Sequence, residues 1–321
     1  MKKFILSILK VGLFVGGFLV FEEFVEEKMD KRFGESDNVS SFTIESETVS
    51  PSPIKEVLRK VEYPSTVKKT SSTEHGGFPN ITSNSRDIGT ARSVKHNLYV
   101  LTLYVTQDKD PITPEEKLYY RKSLCIAKDW FVETAALYGI DFKLGRYNVR
   151  NKNGGEFHID DSYDIDKMEP RTIAKMYYGP NYLSRIRELA QEEGYNDYIF
   201  VVCCKNNCNI CRAYKCDESR SNCSEYLEGC IINLNTKSEL PTVIAHEILH
   251  TLGAWDLYIR NDYNIYRGDG AKYNKRTDGS IMRNTHQPIG NTEIDVLTAY
   301  LVGLSDIKYD WFDVLSENGG F

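Results

Sequence analysis

No long stripe of lysine and arginine runs through this chain, and its absence argues against nucleic acid as a partner. The 321 residues carry 40 Lys and Arg against 46 Asp and Glu, a net charge of −6, whereas phosphate neutralisation needs clustered positive charge. No internal repeat is visible. Residues 22–94 hold no cysteine, which excludes a thiolate latch from that stretch onto a downstream metal. The same stretch is poor in aromatics and rich in Ser, Thr, Glu and Lys, with "SPSP" and "KKTSST". Such a composition cannot bury enough apolar surface to offset its ordering entropy, so it reads as a stalk, with a pro-segment as the alternative. The acidic run at Asp160, Asp161, Asp164 and Asp166 lacks the spacing and glycine of a Ca²⁺ loop and reads as a solvated loop.

What is present divides the chain into three parts. Lys2 and Lys3 precede "FILSILKVGLFVGGFLVF", residues 4–21, and "EEFVEE" follows. A helix of that length spans about 27 Å, close to the hydrocarbon thickness of a bilayer, and the flanking charges predict a cytoplasmic N-terminus with the remainder exported. A cleaved signal peptide ending near Val15-Gly16-Gly17 is the competing reading, which would make the protein secreted rather than membrane-anchored. Residues 1–21 are thus assigned to the anchor, 22–94 to the stalk and 95–321 to a catalytic domain, with a cysteine-rich insertion at 203–230. Asn38-Val39-Ser40 and Asn80-Ile81-Thr82 are glycosylation acceptors if the host glycosylates.

Eight cysteines, an even number, fit export: Cys125, Cys203, Cys204, Cys208, Cys211, Cys216, Cys223 and Cys230. They are expected to form up to four disulfides of unfixed connectivity. A zinc knuckle built on Cys208 and Cys211 is the rival reading.

From residue 97 the pattern is that of an α/β domain, a twisted sheet backed by helices. "NLYVLTLYV" (97–105) reads as a buried strand. Thr113, Pro114 and Glu116 form a capping-box start for a helix that Gly139 ends. Strands are expected at 140–144 and 197–202, a helix at 182–194, and an edge strand at 229–235.

The chemistry concentrates in "AHEILHTLGAWD", residues 245–256. His246 and His250 are four apart, so both imidazoles leave one helix face one turn apart, as two ligands of a tetrahedral Zn²⁺ require. Glu247 is placed to take a proton from a water that the metal acidifies. Gly253 supplies the left-handed residue that turns the chain back, and Asp256 completes the site with an oxygen ligand. An amphipathic helix with two satisfied histidines is the bland reading, and Gly253 and Asp256 at these spacings tell against it.

These residues resemble the metzincin clan of zinc endopeptidases, whose signature HExxHxxGxx ends in His or Asp. "HEILHTLGAWD" is similar to the Asp-ended, snapalysin-like variant, and "GSIM" (279–282) looks like the clan's methionine turn, with Met282 beneath the metal. The resemblance implies a zincin-like fold over about 95–305 and one catalytic zinc. It further implies an extended protein or peptide substrate paired with an edge strand, for which 229–235 is the candidate. Where some members carry a tyrosine two residues after the methionine, this chain has Asn284, with His286 close behind. A binding module that kept zinc and lost turnover is the alternative, and a gluzincin arrangement with Glu293 as ligand is a third.

Overall fold

Residues 98–105 are buried one after another with no exposed position between them, and only a strand covered on both faces reads that way. The computed structural model describes residues 89–148, 155–206, 211–216, 226–258, 268–312 and 315. The expected anchor (4–21), residues 22–88 of the stalk, both glycosylation acceptors, Cys208 and Cys223 lie outside them. Among the described residues no helix is long and apolar enough to cross a membrane.

The elements follow in the order β1 (Leu98–Thr106), α1 (Pro114–Leu137), β2 (Leu144–Asn148), β3 (Glu156–His158), α2 (Pro170–Tyr178), α3 (Tyr182–Glu192) and β4 (Asp197–Cys204). Then come β5 (Arg212–Tyr214), β6 (Gly229–Asn233), α4 (Leu240–Thr251) and α5 (Val296–Leu301). The sheet order is β2-β1-β4-β6-β5, with β3 also pairing with β1. All pairs are parallel except β5, which runs antiparallel to β6. The protein is therefore a mixed α/β fold on a mixed sheet.

Alternation along the strands makes two cores, because successive side chains leave opposite faces. Leu98, Val100, Ile199, Val201, Cys203, Cys230 and Ile232 pack with α1, α4 and α5. Tyr99, Leu101, Leu103, Phe200, Val202, Cys204 and Ile231 pack with α2 and α3. Helix α1 begins where expected: the Thr113 side chain accepts from Glu116 N–H and the Glu116 carboxylate accepts from Thr113 N–H, with Pro114 opening the helix.

Two expectations are corrected here. The sheet edge is not 229–235. Strand β6 lies between β4 and β5, buried through all five residues, and the short β5 is the edge. The polar end of this strand is satisfied internally: the buried Asn233 side-chain oxygen accepts from Asn206 N–H at 3.2 Å and Asn235 N–H at 3.0 Å. Four disulfides do not form either. Cys125, Cys203, Cys204, Cys211 and Cys230 carry thiols, whereas Cys216 is disulfide-bonded. Adjacent on β4, Cys203 and Cys204 point into opposite cores, a direction fixed by the pleat.

The folded unit also starts earlier than residue 95. Thr90, Ala91, Ser93 and Val94 are buried, and Glu228 holds this segment. Its carboxylate accepts from Ala91 N–H at 2.7 Å and Cys216 N–H at 3.0 Å. Burial raises Glu228 to about 7, against the pull of those hydrogen bonds. A carboxyl raised on folding contributes stability that is complete below its unfolded value and lost as pH rises through its folded one. Wild type should therefore lose up to about 3 kcal/mol between pH 4.5 and 7.5 in excess of Glu228→Gln. Denaturant titrations of the two proteins across that range check it; parallel pH profiles would refute it.

Candidate metal centre

Helix α4 is buried on almost every side: ten of its twelve residues have little solvent contact. It packs against α1, β5 and β6, with Pro241 in its first turn. Its C-terminus is a Schellman motif. Gly253 N–H donates to His250 O at 3.0 Å and Ala254 N–H donates to Leu249 O at 2.9 Å, with Gly253 at φ +110°. A side chain is strained at that angle, so glycine is what lets the chain reverse within one residue.

The reversal brings three ligand atoms together. His246 Nε2 and His250 Nε2 are 3.0 Å apart, and Asp256 Oδ1 lies 3.2 Å from the latter and 3.3 Å from the former. Three ligands of a tetrahedral zinc at about 2.0–2.1 Å are separated by about 3.3–3.4 Å, so this near-equilateral triangle has the size such an ion needs. His246, His250 and Asp256 are the group that could hold a metal among the described residues. Glu293, the acidic loop around Asp160 and the described cysteines are not in it.

Both ring tautomers are settled by carbonyls, which only accept. His246 Nδ1–H donates to Ile281 O at 3.0 Å, and His250 Nδ1–H donates to Ala254 O at 2.9 Å. That directs each Nε2 at the triangle, the orientation found in metal-binding histidines; the proton that His250 Nε2 shares with Asp256 is the one a metal would displace. The site is electrostatically poised for a cation. Burial opposes ionisation of Asp256, but hydrogen bonds from both histidines outweigh it and hold the carboxyl well below its usual range. Burial also opposes a charge on His250, and Asp256 overrides it, raising the imidazole to about 9. Glu247 is 6% exposed; burial pushes its carboxyl up, His246 and His250 pull it down, and Asp256 pushes it up again.

The turn at 279–283 lies beneath the histidines. Met282 is fully buried, and its carbonyl accepts from Leu257 N–H at 3.0 Å, one residue after Asp256. His286 is exposed and stands 3.2 Å from Ser238 Oγ through Nδ1, a surface partner. Sequence reading missed Tyr258. Its ring stacks on His246 at 5.7 Å and its hydroxyl lies 3.4 Å from His246 Nε2. The signal was its place two residues after Asp256, on the chain that the Gly253 turn sends back past the histidines. Ser280 and Asp295, which hold the turn, were missed as well. The chain matches no protein-family model and no curated protein sequence.

Proposed function

We propose that the chain is a zinc-dependent endopeptidase that hydrolyses protein or peptide substrates, with His246, His250 and Asp256 as ligands and Glu247 as general base. The observation that carries this reading is the triangle of ligand atoms 3.0–3.3 Å apart with both Nδ1 positions locked by carbonyls. A bound zinc supplies Lewis acidity and a water acidified to a pKa of about 7. Glu247 would take the proton of such a water and pass it to the leaving amine nitrogen. The Tyr258 hydroxyl, next to His246 Nε2, is a donor for the carbonyl oxygen as it gains negative charge. Strand β5, at the sheet's edge and against α4, offers its backbone to an extended substrate by strand addition. This moves the substrate strand from 229–235 to 212–214. The Asp-ended motif and the buried Met282 support membership of the metzincin clan. Placement outside the cytoplasm, by anchor or secretion, rests on residues 4–21.

The full-length protein should bind about one zinc per chain and cleave an unfolded protein substrate. Removing the metal with 1,10-phenanthroline should stop cleavage, and added zinc should restore it. Zinc binding without cleavage of a diverse peptide library transfers the site to the binding-module reading; no zinc binding ends both.

A further inference from the structure

Asp295 is 4% exposed, and its carboxylate satisfies four donors. Oδ1 accepts from Leu297 N–H at 3.0 Å and Thr298 N–H at 3.1 Å, which caps α5. Oδ2 accepts from Thr298 Oγ1 and from Ser280 Oγ, each at 2.6 Å. A cap needs only the first oxygen, and Ser or Asn would serve. The second oxygen reaches out of the helix into the turn beneath the histidines.

That turn is tied at each of three successive residues. Ser280 donates through its hydroxyl to Asp295, and the same oxygen accepts from Met282 N–H at 3.2 Å. Between them, Ile281 N–H donates to Glu293 O at 2.9 Å. Its other side faces the metal ligands: Ile281 O receives His246 Nδ1–H at 3.0 Å, and Met282 O receives Leu257 N–H at 3.0 Å. One ligand and the neighbour of another therefore lean on consecutive carbonyls of a single turn. A shift of that turn moves both.

We propose that Asp295 is a positioning residue for the metal centre, acting through Ser280 on the turn that fixes His246 and Asp256. This rests on the reading of the triangle as a metal site. Partners that orient metal ligands typically change affinity by about 10–100-fold when removed. Because Asp295 touches neither metal nor substrate, the effect should appear in metal binding itself.

The test measures zinc affinity by chelator competition, and the visible spectrum of the Co²⁺-loaded protein, on full-length variants normalised to folded fraction. Asp295→Asn keeps the capping oxygen and the size but replaces the acceptor facing Ser280. Ser280→Ala removes the link from the other end. Each should weaken zinc by about 10–100-fold and perturb the Co²⁺ spectrum. Their combination should be no worse than the more severe single change, since both cut one link. Thr298→Val removes the other hydroxyl on Oδ2 without touching the turn and should lower thermal stability while leaving zinc affinity unchanged. Wild-type affinity in Asp295→Asn and Ser280→Ala overturns the inference, as does equal weakening in Thr298→Val. If the unaltered protein binds neither zinc nor Co²⁺, the metal reading falls and takes this inference with it.

Discussion

Glu247→Gln should keep its zinc and lose hydrolysis, with kcat reduced by about 10²–10⁴-fold. The ligands do not depend on this side chain. His246 and His250 are oriented by Ile281 O and Ala254 O, and Asp256 is delivered by the turn at Gly253. Glutamine fills the same buried space but accepts no proton at neutral pH. Nor should the fold suffer, because a neutral amide avoids the burial that already pushes the carboxyl upward. Metal analysis and a fluorogenic protein substrate give both readouts on one sample. Undiminished turnover would remove Glu247 from the reaction.

The same variant separates the endopeptidase from the binding module. A module stabilised by zinc gains nothing from a carboxylate 6% exposed beside its ligands, since burying that charge costs stability unless it is used or paired. Both readings predict a variant that folds and binds metal. Only the endopeptidase predicts a lost activity.

What could be read in the sequence follows from how local each signal is. The capping box at Thr113 and Glu116 and the helix stop at Gly253 are set by neighbours within a few residues, and both appear as expected. Helical spacing alone put His246 and His250 on one face. The distances that failed are long-range. Strand β6 was expected at an edge, yet β5 covers it, and its one asparagine, Asn233, is satisfied by Asn206, 27 residues earlier. The cysteines looked like disulfides because they are clustered and even in number. Sheet pleat sends Cys203 and Cys204 to opposite cores, and composition carries no trace of that. Five thiols leave room for one disulfide among the eight cysteines, the one at Cys216, so residues 4–21 carry most of the argument for export. Asp295 carried no signal of its own in the sequence; its second oxygen matters because the fold brings Ser280 against it.

Asp256→Ala should weaken zinc by at least about a hundredfold, more than loss of an orienting partner does. Two imidazole nitrogens 3.0 Å apart remain, but the only anionic ligand is gone, and with it most of the local compensation for a divalent charge. Asp256→Asn keeps an oxygen in place without the charge, so zinc affinity should fall in the order wild type, Asn, Ala. Thermal shifts provide an independent scale. Because a ligand stabilises by RT ln(1 + [L]/Kd), a hundredfold weaker site loses about 2.7 kcal/mol of zinc-dependent stability at saturating metal. The metal-free proteins should also differ, since Asp256 pairs with both histidines at 3.2–3.3 Å. Subtracting the metal-free shift therefore isolates the ligand role from the ion-pair role. Metal content that survives dialysis in Asp256→Ala would put the third ligand elsewhere and leave the Gly253 reversal without the purpose assigned to it.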